Sequence, residues 1–433
     1  MKNKILLCAT ILTLSINSFA QKNLASTEIS AYEPISNLRQ TYQFYSQPEN
    51  KVKIQLPNYE TVNVWQNMSK LFPTAQILRE GEVKFLNKRI DNSIGKIPFK
   101  RTATSDSESV DEFFNNSNMQ GLVVIKNGEL VYEKYKTMRS KDKHNWFSVG
   151  KIVSSTLISL LQEEGKINVK NSVSTYIPEL KNSQWDIVTV EDTLNMATGL
   201  DSTEHDEKNA RLNPNSGWYR WATSIGVFYN PDLPKENVYT VLKNMKKVRE
   251  PQTVFEYNSI NTFVLELIVE NVTGHAYNEV FSDYIWSKSG MKNDAYIAVS
   301  KDSNPMGFAF ISSTLIDLAH FGLLFTPSWN KISNEKIISN NIVKNIQTNG
   351  NVEMYKKGAV GKILSTAFYQ DEKIYNKYQW DAIFKDGDFF KGGVGGQGLY
   401  ISPDKDVVLA WFSNGTEHHE ETMAREIAKA LKN

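Results

Sequence analysis

Ser148 stands three residues before Lys151 in HNWFSVGKIVSSTLISLLQEEG, residues 144 to 165. On a helix this spacing sets a hydroxyl and an amine on one side, one turn apart. Such a pair could activate an alcohol for attack on a carbonyl. A lysine held away from water favours its neutral form, and a neutral amine can accept the serine proton. The spacing alone is weak, because Ser-Xaa-Xaa-Lys recurs at Ser93, Ser140, Ser289, Ser328, Ser333 and Ser402. Ser148 as a helix N-cap, with Lys151 reaching solvent, accounts for the spacing equally well.

The surroundings separate Ser148 from the other serines. Ser93, Ser289, Ser328 and Ser402 adjoin prolines, glycines or dense charge that stop a helix, while Ser140 and Ser333 lie in polar stretches without an apolar face. After Ser148, by contrast, Val149, Ile152, Val153, Thr156, Leu157, Leu160 and Leu161 cover much of a helix surface, as expected for a buried helix. The start of that helix also offers unpaired N–H groups and the positive end of a dipole, where a developing oxyanion would be stabilised.

The elements that must hold this helix can be read on both sides of it. GLVVIKNGELVYEKY (121–135) is two apolar, β-branched runs joined by Asn127-Gly128, a strong hairpin signal. Residues 102–114 form a polar linker that becomes a capped helix. VTVEDTLNMATGLD (188–201) predicts a helix ending at Gly199, and INTFVLELIVENVTG predicts one closing at Gly274. The aromatic segment 215–231 has no clean period. GLYISPDKDVVLAWFSN (398–414) reads as a second hairpin, followed by a terminal amphipathic helix. One sheet built from both chain ends is expected.

Two further stretches carry polar or permissive residues. FEYNSINTFVLELIVENVTG places Tyr257, Ser259 and Asn261 just before a helix, with Ser259 at capping distance. FKGGVGGQGLYI has glycines at the dinucleotide-fingerprint spacing, but a strand pattern follows where that fingerprint needs a helix. Glycines leading into a strand permit close backbone approach by a neighbour or a substrate.

Taken in order, FSVGK, EEGKINVKNSVSTYIPEL, VTVEDTLNMATGLD, FEYNSIN and GVGGQ before a strand resemble the serine β-lactamase and penicillin-binding-protein superfamily. The resemblance is to its branch related to class C β-lactamases, esterases and nylon-oligomer hydrolases, over residues 101–433. It implies an α/β (α+β) fold of the β-lactamase/transpeptidase type, with an antiparallel sheet flanked by helices and a mostly helical lobe opposite. In that scheme Ser148 forms an acyl-enzyme, and Lys151 and Tyr257 share the general-base work. Tyr257-Asn258-Ser259 replaces the Tyr-Xaa-Asn motif of the class C enzymes, with Ser259 in the hydrogen-bonding role of the asparagine. Val394-Gly395-Gly396 stands where the family has Lys-Thr-Gly, and Gln397 gives its backbone N–H, with that of Ser148, to the oxyanion.

The resemblance also bears on substrate. A valine in place of the family lysine could not hold a substrate carboxylate, so neutral esters or small amides are expected, with segment 215–231 as a candidate wall of the acyl pocket. A D-amino-acid peptidase or carboxypeptidase acting on cell-wall peptides, and a non-catalytic penicillin-binding-like sensor, are the alternatives. No cofactor is expected. No metal is expected either, since EHHEE (417–421) begins a helix, where acids complement the dipole, and no His-Glu-Xaa-Xaa-His pattern occurs.

Bulk properties narrow the partners. In 433 residues, 49 Lys and Arg face 48 Asp and Glu, so no net field draws the chain to nucleic acid or anionic lipid. A small-molecule ester, amide or peptide fits better. Residues 1–20 read as a secretory signal, with Lys2 and Lys4, an apolar stretch from Ile5, and Ser18 and Ala20 before the cut. That stretch is too short to span a bilayer, which takes about 20 apolar residues. The expected mature chain is exported, without an integral membrane segment. The single cysteine, Cys8, lies inside the signal, so no disulfide is expected. Residues 21–100 read as an extension wrapping the hydrolase domain.

Overall fold

Asn127 and Gly128 both adopt positive φ, 51° and 71°. They fold Met119–Lys126 back on Glu129–Tyr135. The free edge of the first strand pairs with Val407–Ser413, so a hairpin from the first third of the chain is completed by a strand from far along it. Gln397–Ser402, Phe389–Gly393, Trp380–Ile383 and Tyr375–Lys377 follow in turn, all antiparallel, to make seven strands. This is a computed structural model, and the residues it describes are 35–201, 203–205 and 210–431. The predicted signal, with Cys8, lies outside them.

Side chains alternate across a strand, so each sheet face serves a different core. Val123, Ile125, Leu399, Ile401 and Val408 face the helix Leu315–Leu323 and the helical lobe. Leu122, Val124, Tyr400, Leu409 and Trp411 face the terminal helix Glu420–Ala430 and Val110–Asn116. The latter starts on a capping box between Ser109 and Glu112, where the sequence predicts a capped helix. The lobe opposite contains Lys151–Glu163, Gly217–Ser224, Val238–Lys243, Ser259–Thr273 and Tyr277–Tyr284. Gly274 closes the fourth of these at φ 73°. No helix among the described residues is long and apolar enough to cross a membrane.

A four-stranded sheet joins Thr74–Ile77, Ala295–Ala298, Ile311–Ser313 and His144–Asn145, and so delivers the chain to Ser148. Its first strand comes from the segment read as a wrapping extension. Trp65, from the same segment, is fully buried and donates its indole N–H to the Ile54 carbonyl at 2.7 Å.

Two local expectations differ from what the fold shows. The helix predicted to reach Gly199 is only Val190–Leu194. Gln379 and Asn376 donate their side-chain amides to the carbonyls of Thr193, Leu194 and Asn195, which removes the acceptors a longer helix would use. Segment 215–231, without a clean period, contains the helix Gly217–Ser224, whose first turn is capped by Ser216.

Candidate active site

Ser148 lies on one tight turn, Phe147–Gly150, that runs directly into the buried helix Lys151–Glu163. Phe147 has φ 47°, a left-handed conformation that a bulky residue holds only when its surroundings impose it. The Trp65 ring meets it edge-on at 4.7 Å. A Cβ on Gly150 would fall 2.4 Å from the Gly307 carbonyl oxygen, so glycine lets the turn seat against that loop. Ser148 itself is half-buried, while Lys151 is fully buried.

The Lys151 Nζ lies 3.1 Å from Ser148 Oγ, 2.9 Å from Ser259 Oγ and 2.7 Å from the Phe308 carbonyl oxygen. Only the last of these must accept. A neutral amine donates two hydrogens and keeps one lone pair, so it can serve Phe308 and Ser259 while accepting from the Ser148 hydroxyl. Burial pulls its pKa down to about 7; the nearby Glu204 charge works against this and the Lys391 charge with it. The Tyr257 phenol interacts with the Ser148 side chain, and its ring lies 5.4 Å from Lys151 Nζ. Burial, then the charges of Asp381 and Glu204, push that phenol well above its ordinary pKa, so it stays protonated.

Tyr257 and Ser259 are placed by the start of the helix Ser259–Thr273. Its cap is Asn258, whose side chain accepts from the Ile260 N–H at 2.9 Å. Ser259, predicted as a cap, is instead the first helical residue, which frees its hydroxyl for Lys151. Its N–H donates to Glu204. Burial raises the Glu204 carboxyl, but Lys151, Arg211, His205 and this hydrogen bond together bring it below the usual range.

The strand Phe389–Gly393 corrects the glycine motif. A lysine does stand beside Tyr257: Lys391 is fully buried and donates to Asp381 Oδ1 at 2.6 Å and to the Tyr257 hydroxyl at 3.3 Å. Lys391-Gly392-Gly393 therefore occupies the place assigned to Val394-Gly395-Gly396. A Cβ on Gly393 would lie 3.1 Å from the Ser148 amide nitrogen and 2.8 Å from the Trp146 carbonyl oxygen. Gly395 and Gly396 belong to the turn beyond, at φ 77° and 83°, against Trp65 and Glu420 respectively. Gln397 spends its side chain on Ser413, at 2.6 and 3.0 Å. Close approach to Ser148 is thus made by Gly393, and not by the turn glycines.

Sequence reading missed Glu204, Asp381, Lys391 and Phe308. The first is a lone acid, and Phe308 acts through its backbone; neither leaves a sequence signal. Lys391-Gly392-Gly393 at the end of a strand was the available sign for the lysine. The aromatic segment contributes Trp221, whose ring packs 5.0 Å from that of Phe308 and so lies behind the Lys151 acceptor. No group of three or more metal-ligating side chains is found among the described residues.

Comparison with known proteins agrees with this architecture. A family model described as Beta-lactamase matches residues 110–432. The chain is 29% identical over 304 residues to the 6-aminohexanoate-dimer hydrolase of Paenarthrobacter ureafaciens, covering 68% of this chain and 74% of that protein. A solved structure from Bacillus anthracis, provisionally named 6-aminohexanoate-dimer hydrolase, superposes with a TM-score of 0.74 at 24% identity, over 89% of this chain and 96% of that one. EstCE1, a hydrolase with promiscuous acyltransferase activity, superposes with a TM-score of 0.56 at 15% identity, over 75% and 96%. At such identities the structural likenesses show the β-lactamase/transpeptidase-like fold.

Proposed function

The chain belongs to the beta-lactamase family of hydrolases, and on that footing we propose that it is an exported serine hydrolase that forms an acyl-enzyme on Ser148. The observation that carries this reading is the 3.1 Å contact between Lys151 Nζ and Ser148 Oγ, with the amine brought near neutrality by burial. Lys151 takes the hydroxyl proton as Oγ attacks the substrate carbonyl. The oxyanion is received by the Ser148 N–H and by a second amide from the turn that begins at Gly393. Collapse of the adduct breaks the carbonyl C–O or C–N bond. Tyr257 gives its proton to the departing oxygen or nitrogen and is reprotonated from Lys151. Water then attacks the acyl carbon by the reverse proton route and frees Ser148.

Esters and small amides are the proposed substrates, now for a different reason. Lys391 is present, but Asp381 answers its charge within the sheet. A substrate carboxylate would have to compete with a buried partner already at hydrogen-bond distance. The names of the similar proteins, an amide-oligomer hydrolase and a hydrolase with acyltransferase activity, support acyl transfer from amides or esters.

A fluorescent phosphonate should label the wild-type protein and fail to label Ser148→Ala. Equal labelling of both would remove Ser148 from the chemistry.

A further inference from the structure

Glu266 is a fully buried carboxyl that the proposed chemistry does not use. It follows Ser259 by two helical turns on the helix Ser259–Thr273, so both side chains fall on one face. That face meets the helix carrying Lys151. Ser259 Oγ lies 2.9 Å from Lys151 Nζ, and Glu266 Oε1 lies 3.5 Å from the hydroxyl of Ser154, one turn beyond that lysine. Ser154 is held in turn by the Tyr277 hydroxyl at 2.8 Å. Glu266 Oε2 has no hydrogen-bond partner among the described residues. A buried polar group so thinly partnered is costly to keep.

The remaining neighbour of the carboxyl is the loop that serves the base. A Cβ on Gly307 would lie 3.1 Å from Glu266 Oε1 and 3.0 Å from the Tyr277 ring, so this glycine rests on the carboxyl. The next residue is Phe308, whose carbonyl accepts from Lys151 at 2.7 Å. Burial pushes the Glu266 carboxyl well above the usual carboxylate range; Lys151 and the amides of Gly307 and Phe308 pull against this, and the Glu270 charge adds to it. Neutrality has a consequence for the base. A fixed negative charge on Glu266 would raise the Lys151 pKa and hold the amine protonated, whereas an uncharged oxygen can steady the loop without doing so.

We propose that Glu266 is a positioning residue for the general base: its carboxyl anchors the Gly307–Phe308 loop, so that the Phe308 carbonyl commits one hydrogen of Lys151 and the lone pair of the amine is left facing Ser148. The proposal rests on the hydrolase reading above and adds to it a residue that touches neither the substrate nor the reacting atoms.

The rate at which a fluorescent phosphonate labels Ser148, followed against pH on the full chain, tests it. Glu266→Met keeps the bulk and removes the anchor. Its labelling rate on the alkaline plateau should fall on the order of 10- to 100-fold, and the acid limb should move below about 7, because the ammonium form of Lys151 loses its fixed acceptor. Glu266→Gln keeps an uncharged oxygen and should recover most of the rate, with the limb returned to its wild-type place. Tyr257, Glu204, Lys391 and Asp381, which also act on Lys151, are the same in both variants, as are Ser154, Tyr277 and Glu270 around the carboxyl. A Glu266→Met chain that unfolds at a lower temperature but labels with the wild-type plateau and limb would make the residue a packing element and overturn the proposal. Failure of Glu266→Gln to recover either quantity overturns it as well. Should Glu266→Met not fold, Gly307→Ala presses the loop off an intact carboxyl and should show the same fall and shift, and wild-type behaviour there overturns the proposal. Should the wild type take up no phosphonate, the hydrolase reading falls and an NMR titration of the Lys151 amine decides the positioning role: a pKa lowered in Glu266→Met and restored in Glu266→Gln supports it, and one equal in all three chains overturns it.

Discussion

Lys391 Nζ lies 2.6 Å from Asp381 Oδ1 across the paired strands Phe389–Gly393 and Trp380–Ile383, and the same nitrogen lies 3.3 Å from the Tyr257 hydroxyl. Burial lowers the lysine pKa and the Asp381 charge restores part of it. Removing one member of such a pair leaves an uncompensated buried charge, at a cost of about 3–5 kcal/mol. Asp381→Asn should therefore lower stability by that order in denaturant unfolding. Asp381→Asn/Lys391→Met should recover part of the loss, because no orphan charge remains. A double variant no more stable than the single would mean that the two residues are not coupled.

The titration of Lys151 sets the pH dependence. Only the neutral amine can take the serine proton, and its pKa is brought to about 7. The rate constant kcat/KM should therefore fall roughly tenfold per unit as pH drops below that value, and level off above it. Glu204 opposes the downward shift, so Glu204→Gln should move the acid limb to lower pH. An unmoved limb would assign the titration to another group. The same residue has a sign in stability. Its folded pKa lies below the ordinary 10.5, so the unfolded chain binds more protons between about 7 and 10.5, and this group's contribution to stability improves as pH rises through that window.

Gly393 makes a separate prediction. A methyl group placed there would press on the Ser148 amide nitrogen and the Trp146 carbonyl oxygen. Loss of one oxyanion donor elsewhere costs on the order of 10²-fold in kcat. Gly393→Ala should lose a comparable factor in kcat with a smaller change in KM, and thermal unfolding should show the chain still folded. Wild-type kcat in this variant would detach the Ser148 amide from the oxyanion.

The parts of the fold written locally were legible. Asn127-Gly128 needs positive φ at both positions and has it, and Gly274 ends its helix in the left-handed region. The apolar run after Ser148 reads as a buried helix because its period is unmistakable. What escaped depends on distant pairing. The frame of the glycine strand is fixed by the pairing of Gly393 with Gln397 around a turn, so counting from the glycine run put the motif on the turn and overlooked Lys391. The strand Thr74–Ile77 exists because Ala295–Ala298 pairs with it, from far along the chain. The helix after Thr189 stops early because Gln379 and Asn376 reach it from another strand. Asp381 and Glu204 have no local pattern at all.

Trp65 ties the segment before residue 100 to the chemistry. Its ring lies edge-on to Phe147, beneath Gly395, and its indole N–H holds the Ile54 carbonyl. Phe147 occupies a left-handed conformation that costs on the order of 1–3 kcal/mol and persists only where packing enforces it. Without the indole, Phe147 is free to relax and to carry the Ser148 hydroxyl away from Lys151. Trp65→Ala should lose about 3–5 kcal/mol of stability and, assayed well below its unfolding midpoint, should lose kcat more than substrate binding. Trp65→Phe keeps a ring against Phe147 but leaves the Ile54 carbonyl unpaired, at about 1–3 kcal/mol, and should keep most of kcat. Equal kcat in the two variants would mean that the serine turn holds its shape without the ring, and that Trp65 serves stability alone.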